Sequence, residues 1–459
     1  MPPPWLRLLP YGSTLTVFDE RTGRDVALSA DGPGDLGSHP RLARSGFLAP
    51  LDPALLIPHR KLHPLFLPFE GALLCPDPSR HPPGGWSWRT IDLAPRGLAL
   101  WNAVDGRLTV PQVAAQAGVP VAEALVRLGE LAAWPVQAVL LRPDRVRPDH
   151  PSLARVVGPP REPNLREAHM YTGGATTLGD FHDAIDDAGT RFDLAETTLA
   201  HALALPHPAL GGQRYGERLC DRLLQSSVRC VEVGGGTGEL GAAFLDRARG
   251  RGLTPSYLRI DRSPALLALQ AEKMPGTAGI VGDALALALP DGTVDLLLAN
   301  EIIADLPSTR TASGWSNDGA LQFVGEVARV LAAGGTAFLS EFGSEADEPE
   351  ETEQLDHPEV SIRFETLVQR ARALGLQARL VPIAEFLSLD LDAHWLWRPH
   401  LGAVRHLDQR AGRAPTAGRA WTPATLPRPE HAEGLRWVTL RDEGPGPLPG
   451  RTWALLLQR

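Results

Sequence analysis

The sequence has little lysine, little cysteine and no long apolar run. Its 45 lysines and arginines are outnumbered by 54 acidic residues, and the formal net charge is -9. This balance argues against a general nucleic-acid-binding protein, which needs excess positive charge to displace counterions from phosphates. No segment approaches the roughly eighteen apolar residues of a membrane-spanning helix. The first residues also lack the apolar core of a signal peptide, so we expect a cytoplasmic location.

Only three cysteines are present, Cys75, Cys220 and Cys230. Their positions show neither a C-x-x-C pattern nor the cysteine and histidine spacing of a zinc site. We therefore expect no metal site and no disulfide framework, and we place Cys230 inside a buried strand. With 43% hydrophobic and 22% charged residues, the chain can build two or three globular domains.

The most informative segment is VRCVEVGGGTGELG at residues 228–241. It begins with apolar and β-branched residues, as a strand buried on both faces does, and continues with Gly234, Gly235, Gly236 and Gly238. Glycines let the backbone turn sharply, and the helix expected to follow would direct free N–H groups towards a bound anion. The pattern predicts a strand, a loop and a helix with a binding site at the turn.

The loop alone leaves several interpretations open. Gly236, Gly238 and Gly241 also fit the G-x-G-x-x-G spacing of dinucleotide-binding proteins. A glycine-rich turn of this kind can also serve close packing without binding any ligand. The acidic residues at the ends of the following predicted strands favour a ligand site over packing alone.

Strands and helices alternate after the glycine loop, which predicts an α/β fold with a doubly wound parallel sheet. Ligands of such a sheet bind at the carboxyl ends of its strands. A single aspartate after a strand usually forms a turn or caps a helix, but acids after four successive strands indicate binding. The predicted strands end at Asp261, Asp283, Asn300 with Glu301, and Glu341.

The positions of two acids favour a nucleoside. Asp261 lies about 20 residues after the glycines, where a carboxylate at the end of the second strand accepts hydrogen bonds from a ribose. Asp283, next to Ala284, is placed to accept a hydrogen bond from the adenine amine. S-adenosylmethionine has one nucleoside and a carboxylate tail, so it fits better than a dinucleotide, which calls for a second mononucleotide-binding half.

Four segments are expected along the chain. They are a Pro-rich region with small strands at 1–88, a module of three helices and a strand at 89–145, a linker at 146–168 and the α/β domain at 169–459. The second segment, through LWNAVDGRLTVPQVAAQAGV, resembles a winged helix or a PqqD-like peptide-recognition module. Packing or homodimerisation, peptide recognition and DNA binding remain open for it. One arginine and two glutamates on its third helix disfavour DNA.

A segment rich in glycine and threonine precedes the α/β core and includes Gly179 and Asp180. Two interpretations remain open, a loop that folds over the cofactor and an ordinary surface loop. Helices are predicted after it, from Phe192 to Leu205 and from Tyr215 to Leu224.

Several segments together resemble class I S-adenosylmethionine-dependent methyltransferases, which have a Rossmann-like sheet: VEVGGGTGEL, YLRIDRSPALLALQ, GDA and ANEIIADLP. LGDF, RYGERL and SIRFETLVQRARALGL make the chain most similar to the MidA-type methyltransferases, which assist respiratory complex I assembly by methylating a protein arginine. The resemblance implies that Asn300 and Glu301 face the reactive end of S-adenosylmethionine. It also implies cofactor-binding residues: Gly179, Asp180, Glu232, Gly234, Gly236, Gly238, Asp261, Asp283 and Ala284.

One departure from that family concerns the acceptor pocket. After the Asn-Glu pair the chain has Ile302, Ile303 and Ala304, so the next acid, Asp305, is displaced by one residue. We expect methyl transfer to a protein or peptide acceptor, with arginine favoured. A methyltransferase of a small natural product, and a non-catalytic cofactor-binding assembly factor in which Glu301 only caps a helix, stay open as alternatives.

Overall fold

The structure is a computed structural model. It describes residues 6–11, 14–19, 24–29, 55–60, 66–69, 71–76, 88–132, 136, 138–142, 198–312, 314–354, 357–427, 434–443 and 450–459. The chain divides into two units. The first lies within Met1–Leu165, Gly402–Arg413 and Glu433–Arg436, and the second within Arg166–Leu401, Ala414–Ala432 and Trp437–Arg459.

The first unit contains short strands and three helices. Its strands are β1 (Leu6–Tyr11), β2 (Thr14–Asp19), β3 (Arg24–Ser29), β4 (Ile57–Arg60), β5 (Leu67–Phe69), β6 (Ala72–Pro76), β7 (Trp88–Asp92) and β8 (Val139–Arg142). Its helices are α1 (Ala94–Ala103), α2 (Val110–Ala117) and α3 (Val121–Ala132). The strand pairs described in this unit are antiparallel: β1 with β2, β2 with β3, β4 with β8, β5 with β6, and β6 with β7.

Local sequence explains where helix α2 begins and ends. Thr109 is the residue before the helix, and its backbone N–H donates to Gln112 Oε1 over 2.8 Å, which is one half of a capping box. Gly118 ends the helix in the left-handed conformation, with φ of 65°. Strands and helices of this unit share one core, which includes Leu73, Leu100 and Leu141. The boundaries predicted at 88 and 145 stay a prediction.

The second unit contains the large sheet. Its strands are β9 (Arg229–Val233), β10 (Ser256–Asp261), β11 (Ala278–Val281), β12 (Val294–Asn300), β13 (Thr309–Thr311), β14 (Gly314–Ser316), β15 (Leu331–Ser344), β16 (Glu351–Gln354), β17 (His357–Val360), β18 (Ile362–Arg363), β19 (Gln377–Pro382), β20 (His394–Leu396), β21 (Trp437–Thr439) and β22 (Thr452–Gln458). Its helices are α4 (Leu199–Ala202), α5 (Tyr215–Leu223), α6 (Glu239–Gly250), α7 (Pro264–Lys273), α8 (Asp318–Val330), α9 (Phe364–Ala373) and α10 (Ile383–Leu387). A further helix, α11, spans Arg398–Arg410.

The large sheet has the strand order β11-β10-β9-β12-β15-β22-β19, and β18 pairs with β15. The first five strands in this order, β11, β10, β9, β12 and β15, are parallel, whereas β22 is antiparallel to both β15 and β19. The predicted doubly wound α/β sheet is therefore confirmed. The chain changes direction across the sheet between β9 and β12, and a ligand cleft forms at such a switch point.

The antiparallel strand β22 distinguishes this sheet from the sheet of dinucleotide-binding proteins, in which a sixth parallel strand lies beside the fifth. Apolar side chains on the sheet and on helix α8 form the core of the unit, including the fully buried Leu297, Phe323, Val327 and Ala337. Each large apolar side chain buried in this way contributes roughly 1.5–3 kcal/mol.

Two element boundaries differ from the sequence-based expectation. The helix predicted from Phe192 to Leu205 is described only from residue 198, and it ends at Ala202. Pro206 disfavours helical backbone at Leu205, so the helix could not extend to the predicted end. Strand β15 runs from Leu331 to Ser344, past the end predicted at Glu341, and its register with β12 shifts between Val294 and Leu296.

Two further findings bear on the composition. The cysteines Cys75, Cys220 and Cys230 are buried thiols that are not joined in disulfides. Within the described ranges, no helix combines the length and the apolar character needed to cross a membrane.

Candidate functional site

The glycine loop joins strand β9 to helix α6 at the switch point of the sheet. Gly234, Gly236 and Gly238 all have left-handed backbone, with φ of 66°, 51° and 85°. Glycine adopts this conformation without a steric penalty, so the predicted turn follows from the sequence. A Cβ at Gly234 would lie 2.5 Å from Ile302 Cγ2, so a larger residue would also clash. The loop therefore offers bare backbone at the N-terminus of α6, which suits an anionic group.

Glu232 lies beneath this loop and is 2% exposed. Its Oε2 accepts a hydrogen bond from the Tyr257 hydroxyl over 3.0 Å. Burial raises the pKa of the Glu232 carboxyl to about 7, and the negative charge of Asp261 adds to this, while Tyr257 and Arg259 oppose it. A Cβ at Gly241 would lie 2.6 Å from Glu232 Oε2. A Cβ at Gly235 would lie 3.0 Å from Glu232 Cδ, so Glu232 packs directly against the loop from inside the fold.

Asp261 ends strand β10 and is 7% exposed. Its Oδ1 accepts from the backbone N–H of Ser263 over 3.0 Å, and its Oδ2 accepts from Gln270 Nε2 over 2.9 Å. Gln270 Nε2 also donates to the carbonyl oxygen of Gly236 over 2.9 Å. Asp261 is therefore connected to the glycine loop through one side chain.

Asp283 follows strand β11 at the same edge of the sheet, and its side chain is exposed. Its Oδ1 accepts from the backbone N–H of Leu285 over 2.8 Å, the contact of a turn-forming aspartate. Ala284 packs against the core of the unit. The backbone N–H of Gly282 donates to the carbonyl oxygen of Asp261 over 3.0 Å, which keeps the two strand ends together.

Asn300 is the last residue of strand β12 and pairs with Ser340 of strand β15, and Glu301 follows it. Asn300 Oδ1 accepts from the Tyr215 hydroxyl over 2.6 Å and from Ser340 Oγ over 2.9 Å, which directs Asn300 Nδ2 towards Glu301 Oε1 at 3.1 Å. Glu301 has left-handed backbone, with φ of 53°, which is strained for a non-glycine residue. Its Oε1 also accepts from the backbone N–H of Leu199 over 2.8 Å, at the start of helix α4.

Further carboxyl groups lie near Glu301. Glu341 is 3% exposed, and its oxygens accept from the backbone N–H groups of Ala304 at 3.1 Å and Phe342 at 2.8 Å. Burial raises the pKa of Glu341 well above its usual range, and the negative charges of Glu359, Glu301 and Asp305 raise it further. The negative charge of the displaced acid Asp305 therefore raises the pKa of the same carboxyl group, Glu341, as the charge of Glu301 does.

The fold brings most of the predicted residues to one edge of the sheet. Gly179 and Asp180 lie outside the described residues. Sequence reasoning missed Gln270, Tyr215 and Ser340 as parts of the site. The sequence signal for Gln270 is a glutamine within the apolar stretch PALLALQ of helix α7.

Residues 231–339 match the family model described as "Methyltransferase domain". The match runs from β9 through the glycine loop to β15, and it includes Asp261, Asn300 and Glu301. The chain contains a class I S-adenosylmethionine-dependent methyltransferase domain. Its cofactor is S-adenosylmethionine. The described residues suit it, since the N-terminus of α6 favours a carboxylate and Asp261 carries oxygen atoms that accept hydrogen bonds from hydroxyl groups.

Solved structures with similar folds include methyltransferases and one cyclase. A protein from Burkholderia thailandensis bound to S-adenosyl-homocysteine is 15% identical, with 57% of this chain and 78% of that chain covered and a TM-score of 0.37. CalS10, an amino pentose methyltransferase from Micromonospora echinaspora, is 16% identical, with 38% and 85% covered and a TM-score of 0.29. The [4+2]-cyclase SpnF is 20% identical, with 53% and 80% covered and a TM-score of 0.31. No curated protein matches the chain significantly.

Proposed function

We propose that this methyltransferase acts on a protein or peptide and that the methylated group is an arginine side chain, as in the MidA-type methyltransferases that the sequence resembles. The observation that carries this proposal is the set of carboxyl groups around the end of β12. Glu301, Asp305 and Glu359 are close enough to Glu341 to raise its pKa. A cationic guanidinium bound among them would offset their mutual repulsion.

Glu301 is the residue we propose to bind the guanidinium. A carboxylate and a guanidinium form two parallel hydrogen bonds, which would orient one nitrogen towards the reacting carbon. Glu301 Oε1 already accepts from Leu199 and Asn300, and these contacts hold the carboxylate in one orientation. S-adenosylmethionine supplies the methyl group on a sulfonium that is its own leaving group. The protein's task is therefore mainly to align the acceptor nitrogen and to take up its proton.

The cofactor-binding roles are proposals of the same kind. We assign the glycine loop with Gly234, Gly236 and Gly238 to the carboxylate tail, with Glu232 as its support. Asp261 would accept from the ribose, and its position at the end of β10 supports this. Asp283, beside Ala284, would accept from the adenine amine, and the exposure of its carboxylate at the same edge supports this role. We also assign Gly179 and Asp180 to the cofactor site, on the resemblance alone.

For residues 89–145 we propose a winged-helix or PqqD-like module that docks the acceptor or a second copy of the chain rather than DNA. The ion pairs within helix α3 and between α3 and helix α1 support docking over DNA binding. Arg127 pairs with Glu130 at 3.2 Å, and Glu123 pairs with Arg96 at 3.1 Å. Paired arginines are poorly available to phosphates. We also propose a cytoplasmic location, which the three cysteines outside any disulfide support because thiols persist in a reducing compartment.

The test is methyl transfer by Glu301→Gln with isotopically labelled S-adenosylmethionine, read by mass spectrometry of candidate proteins and peptides. Glutamine keeps the shape of the side chain but removes its charge. We expect cofactor affinity within about twofold of wild type and arginine methylation at least about a hundredfold slower. Glu272→Gln is the matched control, because Glu272 is exposed on helix α7, and it should transfer at the wild-type rate.

Two results would contradict the proposal. Undiminished arginine methylation by Glu301→Gln would remove the role of that carboxylate. Methylation found only on oxygen atoms, or only on small molecules, would replace arginine as the acceptor and favour a natural-product methyltransferase.

A further inference from the structure

Gln270 is a polar residue on the apolar stretch of helix α7, and it is fully buried. Its Nε2 donates to two acceptors that belong to different parts of the site. One is the carbonyl oxygen of Gly236 in the glycine loop, and the other is Oδ2 of Asp261 at the end of β10, each 2.9 Å away. One amide group therefore ties the loop to the carboxylate.

The packing around Gln270 leaves it little room to move. A Cβ at Gly238 would lie 3.1 Å from Gln270 Cα, and a Cβ at Gly235 would lie 3.3 Å from Gln270 Cδ. Both glycines are therefore in close contact with the helix and with the amide. Because the interior is this densely packed, a change in the side chain at this position is transmitted to the loop.

The second atom of the amide, Oε1, is buried, and among the described residues no donor reaches it. Turning the amide over would place Oε1 against the oxygens of Gly236 and Asp261, so its orientation is determined by these two acceptors. A buried carbonyl without a donor destabilises a fold. A methionine would fill similar space without that penalty, so packing alone does not account for a glutamine here.

We propose that Gln270 is a positioning residue for the cofactor, which sets the separation between the anion-binding glycine loop and the ribose-binding carboxylate of Asp261. The proposal rests on the proposed cofactor placement. Ser263 holds Oδ1 of Asp261 and Gln270 holds Oδ2, so the carboxylate has one orientation before a ligand arrives. A site ordered in advance spends less binding free energy on ordering itself.

The experiment compares wild type, Gln270→Met and Gln270→Glu. Binding of S-adenosylmethionine and of S-adenosyl-homocysteine is measured by calorimetry, and thermal unfolding is recorded for each protein. Methionine removes both hydrogen bonds at similar volume and leaves Gly236 and Asp261 with one donor fewer, so we expect a lower melting temperature and, well below that temperature, about tenfold weaker binding. Glutamate adds a charge facing Asp261, so we expect binding weaker still.

Kinetics and two reference variants separate positioning from general damage. With a working acceptor, Gln270→Met should raise the KM for S-adenosylmethionine about tenfold while kcat stays within about threefold. Asp261→Ala gives the effect of losing the carboxylate itself. Gln369→Met is the matched control, because Gln369 on helix α9 donates to Glu365 in the same helix, and its cofactor affinity should stay at the wild-type value.

The outcomes distinguish this proposal from the one on which it rests. If wild type fails to bind S-adenosylmethionine, the cofactor assignment is wrong. If wild type binds but Gln270→Met and Gln270→Glu bind equally well, only the role of Gln270 is overturned. That role is also overturned if Gln270→Met lowers kcat as much as it raises KM, because the residue would then act beyond cofactor placement.

Discussion

Replacing Glu232 by glutamine should change how the stability of the methyltransferase domain depends on pH. Burial raises the pKa of this carboxyl from its ordinary value of 4.5 to about 7. The folded state therefore holds the proton more strongly than the unfolded state does. The stability that this provides is fully present below pH 4.5 and is lost as the pH rises through about 7.

The size of the effect follows from the same two values. A pKa difference between 4.5 and about 7 corresponds to about 3 kcal/mol of unfolding free energy. Solvent screening reduces this value little, because Glu232 is only 2% exposed. Glutamine has no charge to gain. The stability of wild type minus that of Glu232→Gln should therefore fall by about 3 kcal/mol from acid to about pH 8.

Hydrogen exchange of strand β9 measures this difference, because its amides exchange only when the central sheet opens. At each pH the exchange rates of wild type and Glu232→Gln are compared, so that the intrinsic pH dependence of exchange cancels. A change of about 3 kcal/mol corresponds to a roughly hundredfold change in the rate ratio across the pH range.

Glu326→Gln is the control with the opposite sign. The hydrogen bond from Arg329 lowers the pKa of Glu326, so this carboxylate stabilises the fold above its unfolded pKa and loses that effect in acid. The stability of wild type minus that of Glu326→Gln should rise with pH. A pH-independent ratio for Glu232→Gln would refute the reasoning, since it would mean that Glu232 is as ionised in the fold as in water.

Two further predictions concern the glycine loop and the N-terminal module. Gly234→Ala should abolish measurable S-adenosylmethionine binding in calorimetry, because its Cβ would lie 2.5 Å from Ile302 Cγ2 on left-handed backbone. Gly250→Ala, where a Cβ meets nothing within 4 Å, should bind normally, and equal binding by both variants would contradict the geometry. The full-length protein should show no salt-sensitive, sequence-selective binding to duplex DNA in fluorescence anisotropy. If such binding is observed and Arg127→Ala removes it, the prediction is wrong and the module binds DNA.

Much of the fold could be predicted from the sequence, because the signals are local. The apolar run before Gly234 predicts strand β9, and the glycines predict the turn into α6. Ser263 and Pro264 predict the start of helix α7, and the side chain of Ser263 indeed accepts from the backbone N–H of Leu266. Each of these features depends on residues a few positions apart, so periodicity and capping are sufficient.

The partners of the site residues could not be predicted in the same way. Glu301 meets the N–H of Leu199, 102 residues away, and Asn300 meets Tyr215, 85 residues away. The sequence shows which residues can donate and accept but not which ones meet, since that depends on how strands and helices pack. The departure at Asp305 illustrates this, because the displaced acid still acts on Glu341.

The sequence by itself determined the αβ alternation, the glycine turn and the acids at successive strand ends, because backbone sterics and side-chain periodicity act within one element. Tertiary structure alone decided that β22 enters antiparallel between β15 and β19. It also decided that the buried Glu232 packs against the glycine loop and accepts from Tyr257. In the same way, it decided that Gln270 donates both to the loop and to Asp261. These outcomes depend on burial and on contacts between distant elements, and the pKa of a carboxyl follows from its burial rather than from its neighbours in the chain.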